Sequence, residues 1–154
     1  MAVLIQKYVP AWRIEIEKFF SLVIFNFIFS NGDAHLKNFS LLETSDGDYR
    51  LSPAYDLLNS HIHVNDTDFA LDRGLFKEGM KSSVLDHNHK PTRVSFLEFA
   101  RRTGVKEERA IKIIEQFIQR QSKVEALIQK SFLDEPTKRE YLLLYNQKRN
   151  QLIK

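Results

Sequence analysis

The chain contains no cysteine and little glycine, and neither sign of charge dominates it. Among its 154 residues, five are glycine, and the 23 Lys and Arg exceed the 20 Asp and Glu by three. The absence of cysteine excludes disulfides and thiolate metal sites, so the cytoplasm is the default compartment. The positive charges are dispersed along the chain. They therefore give little support for nucleic-acid binding, which a steep salt dependence of DNA affinity would reveal.

The sequence also lacks an uninterrupted apolar run long enough to cross a membrane. Its most apolar segment, residues 19–29, contains Ser21 and Asn26 and is shorter than the roughly 20 residues that a spanning helix needs. We interpret this segment as part of a buried helix. Because 43% of the residues are hydrophobic, the chain can form one well-buried core, and we expect a single domain over residues 1–154.

Hydrophobic periodicity predicts a mainly α fold with a small β-hairpin. The first long helix covers residues 12–30 and should end at Asn31-Gly32. Two short strand patterns, residues 38–42 and 49–51, flank a sequence with turn chemistry and predict the hairpin. The polar region 59–92 then predicts a long functional or mobile loop.

Further helices are predicted after this loop. Ser95 and Glu98 fit a capping box, so the next helix is expected to begin at Ser95 and to end at Gly104. Apolar residues between 110 and 128 recur at three- and four-residue steps and predict the longest helix of the chain. Pro136 fits the first position of a last helix. The apolar contacts expected from that helix are Leu142, Leu143, Tyr145 and Leu152.

Three polar residues flank the predicted hairpin. Asp33 and Asn38 precede its first strand, and Asp56 follows its second. Because pairing brings the entering and leaving loops to the same end, we expect the three side chains to lie around one cleft. Phosphoryl transfer uses one carboxylate to orient the attacking hydroxyl and further oxygen ligands to hold Mg²⁺. Protein kinases place an aspartate, an asparagine five positions later and another aspartate beyond a strand pair in this order. The bare pattern is also common in turns and helix caps.

Two longer strings make the pattern specific. FNFIFSNGDAHLKNFSLL, residues 25–42, and LSPAYDLL, residues 51–58, closely resemble the catalytic and metal-binding loops of the HipA family of toxin kinases. The resemblance implies a protein-kinase-like C-lobe that transfers the γ-phosphate of ATP to a serine or threonine hydroxyl of a protein. In it, Asp33 is the implied catalytic base, and Asn38 and Asp56 are the implied Mg²⁺ ligands.

The same resemblance implies phosphate or substrate contacts by Lys37 and His35. By residue type His35 is also a candidate base, although a loop histidine that bonds to the backbone is the favoured interpretation. Further histidines alternate at 61 and 63 and at 87 and 89. Since no cysteine or carboxylate stands at a familiar zinc spacing beside them, we interpret them as solvated loop residues.

The implied partners are a HipB-like antitoxin and a protein substrate of the aminoacyl-tRNA synthetase class.

The sequence contains no glycine-rich phosphate loop and no strand with a lysine that pairs with nucleotide phosphates. We therefore expect the N-lobe to be absent from this chain and supplied in cis or in trans, as in a fragment of a longer kinase or one half of a split kinase. A non-catalytic, pseudokinase-like module that docks a partner is the alternative, and binding of magnesium and nucleotide distinguishes the two.

Overall fold

The computed structural model describes residues 1–64, 67–70, 74–119 and 121–153, and this part of the chain is mainly helical. The elements are α1 Ala2–Tyr8, α2 Trp12–Ile28, β1 Leu41–Glu43, β2 Tyr49–Leu51, α3 Arg93–Thr103, α4 Glu107–Ile118, α5 Ser122–Lys130 and α6 Glu135–Gln151. Single 3₁₀ turns lie at Leu36–Asn38, Ser60–Ile62 and Ser82–Val84. The predicted class, mainly α with one small hairpin, is confirmed.

Helix α2 lies at the centre of the fold. It contacts α1, α3, α4, α6 and β2, because its sequence is apolar on nearly every side. Phe20, Ile24 and Ile28 have no exposed surface, and the ring of Phe27 packs against Phe96 of α3 at a centroid distance of 5.0 Å. The interpretation of residues 19–29 as part of a buried helix is therefore confirmed.

The hairpin is fixed to α2 by a buried carboxylate. Strands β1 and β2 pair antiparallel with Leu41 opposite Leu51, and the Leu51 amide donates a 3.0 Å hydrogen bond to Oε2 of Glu15. Glu15 lies on α2 and is buried. The hairpin was predicted correctly, although its first strand begins at Leu41 rather than at Asn38. Since β2 leads directly to Asp56, this contact also limits where that residue can lie.

Helix α3 begins two residues before its predicted start. Its N-cap is Thr92, whose amide donates to Oγ of Ser95 at 3.0 Å, and the Ser95 hydroxyl donates to the carbonyl of Val84. Ser95 is thus the third residue of the helix, and the predicted Ser95–Glu98 capping box is wrong. The predicted end at Gly104 is confirmed, because this glycine has a left-handed φ of 80°.

The single long helix predicted over residues 110–128 is divided into α4 and α5. Gln119 has an extended conformation, with φ −62° and ψ 139°. The physical reason is visible in the sequence, where the polar residues 119–123 interrupt the apolar stripe between Ile118 and Val124. Without apolar side chains to bury, that turn gains little from continuing as a helix.

Helix α6 begins with a cap that the sequence analysis missed. Oδ1 of Asp134 accepts a 2.9 Å hydrogen bond from the Thr137 amide, so the helix starts at Glu135 and Pro136 occupies its second position rather than its first. The expected apolar contacts are only partly formed. Tyr145 and Leu152 are buried, whereas Leu143 is 58% exposed.

The region between the hairpin and α3 has little regular structure where it is described. Its described part contains the 3₁₀ turns Ser60–Ile62 and Ser82–Val84 and an isolated bridge between Leu85 and Pro91, as expected for a long loop. Residues 65, 66 and 71–73 of this region lie outside the described residues. Within the described chain, no helix combines the length and hydropathy needed to cross a membrane.

Candidate functional site

The candidate site is built on the loop that leaves α2. Ser30 has a left-handed φ of 54°, and the amide of Asn31 donates to the carbonyl of Asn26 at 2.8 Å. These two features end the helix at Ile28 and turn the chain sharply away from the core. The sequence analysis placed this end slightly later, at Asn31-Gly32, because glycine is the usual residue in a left-handed position. The turn exposes Asp33 to solvent at the start of the loop.

Asn38 and Asp56 meet beside the hairpin. Asn38 ends the 3₁₀ turn Leu36–Asn38, and its Nδ2 donates a hydrogen bond to Oδ2 of Asp56. Asn38 is only 7% exposed, and its Oδ1 has no hydrogen-bond partner in the described part of the chain. A buried acceptor without a donor is costly unless a ligand satisfies it. An amide oxygen next to a carboxylate is a donor set that suits Mg²⁺, so these residues fit the predicted metal ligands chemically.

Asp56 itself has an unusual backbone. Its φ is 55°, in the left-handed region that an L-residue enters at a cost of roughly 1–2 kcal/mol. Its carbonyl accepts a 2.9 Å hydrogen bond from Nδ2 of Asn31, and the same Nδ2 also donates to Oδ1 of Asn26 at 3.0 Å. The loop that carries Asp33 is therefore joined directly to the segment that carries Asp56.

A second contact joins the same two segments. The hydroxyl of Ser60 accepts a 2.9 Å hydrogen bond from the Gly32 amide, and it donates to the Ser30 carbonyl at 3.4 Å. Ser60 is buried. Gly32 directly precedes Asp33, so the main chain before the predicted base is held on the segment that follows Asp56.

Asp33 and His35 form a pair on the surface. Nε2 of His35 lies 3.0 Å from Oδ1 of Asp33, and both side chains are about half exposed, at 42% and 54%. The ring of His35 thus contacts a carboxylate, whereas the sequence analysis favoured a bond to the backbone. Such a contact engages one oxygen of the Asp33 carboxylate.

Lys37 contributes to the site through its backbone. Its carbonyl accepts a 2.8 Å hydrogen bond from the hydroxyl of Tyr55, which also lies 3.4 Å from Oγ of Ser40. The Lys37 residue itself is exposed, as a phosphate or substrate contact has to be. Tyr55 thereby ties the 3₁₀ turn to the exit of the hairpin.

An apolar cavity of about 110 Å³ borders the same loop. Its lining includes Phe27 of α2, Ala34 and Leu36 of the loop, and Asn31, but none of Asp33, Asn38 and Asp56. Because metal and phosphate groups need polar oxygens and charges, this cavity does not carry the predicted chemistry. No group of three or more His, Cys, Asp or Glu side chains is placed to share a metal ion in the described ranges.

The sequence analysis identified Asp33, Asn38 and Asp56 and missed the residues whose hydrogen bonds join their segments. Asn31, Tyr55 and Ser60 received no role, although Asn31 and Tyr55 lie within the two strings that carry the family resemblance. Their signal was weak, because asparagine and serine are ordinary loop residues. Only the folded structure shows that Ser60 contacts Gly32.

Comparison with known proteins identifies the family. A family model, the HipA-like C-terminal domain, matches residues 1–124. The chain belongs to this family. The match covers α1 to α4, the hairpin and all the candidate site residues, and α6 lies beyond it.

Two curated relatives share part of this chain. A protein of Haemophilus influenzae named "Putative kinase" is 28% identical over 124 residues, which are 76% of this chain and 36% of that protein. "Putative kinase Y4dM" of Sinorhizobium fredii is 38% identical over 56 residues, which are 36% of this chain and 14% of that protein. The chain thus spans about a third or less of the relatives that it matches.

Proposed function

We propose that this chain is the C-terminal catalytic lobe of a HipA-like serine/threonine protein kinase, with a protein-kinase-like C-lobe fold. The observation that carries the proposal is the meeting of Asn38 and Asp56, where an unpaired amide oxygen lies beside a carboxylate. The names of the two relatives and the family match support the same activity. ATP is the proposed phosphate donor.

Each polar residue has a proposed part in phosphoryl transfer. Asp33 accepts a hydrogen bond from the hydroxyl of the protein substrate and takes its proton as the hydroxyl oxygen bonds to the γ-phosphorus of ATP and the bond from that phosphorus to ADP breaks. His35 keeps the Asp33 carboxylate in one orientation through the 3.0 Å contact. Lys37 contacts the transferred phosphate or the acceptor. Mg²⁺, when bound, neutralises charge on the nucleotide phosphates, and the oxygens of Asn38 and Asp56 hold it in place.

The remaining nucleotide contacts belong to an N-lobe supplied in cis or in trans. The relatives are much longer than the matched region, which leaves room in them for such a lobe. A kinase clamps its nucleotide between two lobes, so this chain alone should bind magnesium and ATP weakly. A HipB-like antitoxin as partner and an aminoacyl-tRNA synthetase as substrate complete the proposal by family analogy.

Substitution of the two aspartates separates catalysis from binding. In the chain combined with a nucleotide-binding lobe, Asp33→Asn should lower phosphoryl transfer by roughly 10²–10⁴-fold with little change in nucleotide affinity, since a base acts mainly in the transition state. Asp56→Ala should abolish magnesium-dependent nucleotide binding. Transfer of ³²P to a protein substrate and calorimetry with ATP and magnesium measure the two effects.

Asp46→Asn is the matched control, because Asp46 is an exposed aspartate in the hairpin turn. It should leave both measurements unchanged. Full phosphoryl transfer by the Asp33 variant would remove that residue from the mechanism. Absence of magnesium-dependent nucleotide binding by the unaltered protein would instead support the non-catalytic docking module.

A further inference from the structure

Asn31 is a buried residue to which the proposed chemistry assigns no part. It is 3% exposed and follows directly after the left-handed Ser30. Its Nδ2 donates to two acceptors, the side chain of Asn26 at 3.0 Å and the carbonyl of Asp56 at 2.9 Å. An amide nitrogen has two protons, so both are used. The side chain is therefore held from α2 and in turn holds the segment after the hairpin.

The contact with Asp56 falls at one of the non-glycine residues with a positive φ. Asp56 has a φ of 55°, and a non-glycine residue keeps such a conformation only when its surroundings impose it. The Asn31 hydrogen bond is the contact that the structure provides to the Asp56 backbone carbonyl. If φ of Asp56 relaxed to a negative value, its Cβ would turn and carry the carboxylate away from Asn38.

We infer that Asn31 is a positioning residue that sets the carboxylate of Asp56 against Asn38 and thereby determines the Mg²⁺ affinity of the site. This inference rests on the proposed function for the metal. It goes beyond that function because it attributes the Mg²⁺ affinity of the site to the Asn31 amide, which touches neither metal nor substrate. Residues that orient metal ligands from behind typically contribute 10–100-fold to metal affinity.

The test uses the full chain, labelled for NMR, with magnesium alone as the probe. In the metal-free protein, a strong NOE between the amide and α protons of Asp56 reports its positive φ. Magnesium titration then follows the backbone and side-chain signals of Asn38 and Asp56. In Asn31→Ala we expect the strong NOE to be lost and the dissociation constant for Mg²⁺ to rise at least about tenfold.

Asn146→Ala is the matched control. Nδ2 of Asn146 donates a 2.8 Å hydrogen bond to the Leu142 carbonyl within α6, so the variant removes the same kind of bond outside the site. It should keep both the NOE and the Mg²⁺ affinity. If amide dispersion shows that Asn31→Ala is unfolded, Asn31→Asp takes its place, because it keeps the shape of the side chain and replaces the donor nitrogen with oxygen.

The two measurements keep this inference distinct from the proposed function. An unchanged NOE in the Asn31 variant overturns the inference, and so does a lost NOE with unchanged Mg²⁺ affinity. If magnesium does not shift Asn38 or Asp56 even in the unaltered chain, the proposed metal site fails and the claim about Mg²⁺ affinity falls with it. The NOE comparison still decides whether Asn31 holds the Asp56 backbone.

Discussion

Replacement of Lys148 tests how α6 is joined to α2. Lys148 pairs with Asp68, and its ammonium lies 4.7 Å from the ring centroid of Phe27 on α2. The two charged side chains are only 11% and 17% exposed. Removing one partner of a buried pair leaves the other charge uncompensated, which costs about 3–5 kcal/mol. Since Asp68 retains some contact with water, we expect Lys148→Met to lower the free energy of unfolding by about 3 kcal/mol.

A double-mutant cycle distinguishes this pairing from simple packing. Asp68→Leu should cost a similar amount, whereas Lys148→Met with Asp68→Leu should lie within about 1 kcal/mol of the unaltered chain, because an apolar pair replaces a buried ionic one at little net cost. Urea unfolding at neutral pH, followed by circular dichroism and by fluorescence, gives these free energies if both transitions coincide. Single variants that each cost less than about 0.5 kcal/mol and combine additively would refute the reasoning.

The pH dependence provides a second check on the same pair. Burial lowers the pKa of Lys148 below its ordinary value of 10.5, against the opposing effect of Asp68, and the nearby charge of Lys90 lowers it slightly further. Between the lowered folded pKa and 10.5, the unfolded chain binds more protons than the folded one. Stability should therefore rise with pH through that window and be lost again as pH falls through the folded pKa.

Tyr141 changes the stability in the opposite direction as pH rises. Burial raises its pKa above 10.0, so stability is lost as pH rises through that raised value. The difference in stability between the unaltered chain and Lys148→Met cancels the Tyr141 contribution. That difference should grow as pH rises toward 10. A difference that stays constant with pH would show that Lys148 is not desolvated.

Two further predictions concern the parts that position the site. Glu15→Ala should lower the free energy of unfolding by about 2 kcal/mol in urea unfolding, because it removes a charged acceptor from the Leu51 amide. Lys18→Ala should lower it by less than about 1 kcal/mol, since Lys18 is 62% exposed. Equal losses of stability in the two variants would contradict this prediction. Gly104→Ala should lower Tm by more than Gly47→Ala in calorimetry, because both glycines have φ near 80° but only a Cβ at Gly104 comes within 3.1 Å of another side chain. A larger effect at Gly47 would contradict this.

Helix boundaries show which parts of the fold local sequence can predict. The end of α3 was predictable because Gly104 supplies the left-handed cap by itself. The start of α3 was not, because Ser95 bonds both to Thr92 and to Val84, and the second partner is eleven positions away. The predicted helix over residues 110–128 was also extended across residues 119–123, where the sequence has no apolar side chain to bury. Local rules failed where a boundary depended on a distant partner or on a gap in the core.

The site likewise has features that the local sequence could predict and features that it could not. The proximity of Asn38 and Asp56 was predictable, because a hairpin brings its two ends together whatever their residues are. The left-handed conformation of Asp56 was not predictable, since the amide that donates to its carbonyl lies 25 positions earlier in the chain. Whether the carboxylate of Asp33 shares a substrate with the other two stays a prediction. The structure shows that its loop is fixed to the Asp56 segment by Asn31 and by Ser60.

The backbone gives an argument for this site that is independent of the family resemblance. Among the described residues, three non-glycine residues have positive φ, namely Ser30, Asp56 and His89. Ser30 and Asp56 lie on the two sides of one hydrogen-bonded joint, because the side chain of Ser60 bonds to Ser30 and that of Asn31 bonds to Asp56. Such conformations persist only where surrounding contacts impose them, and they concentrate at functional sites. A joint that served stability alone would gain from glycine at both positions, since glycine adopts positive φ without steric cost. A carboxylate at Asp56, in contact with Asn38, is the group that the proposed metal site requires at this position.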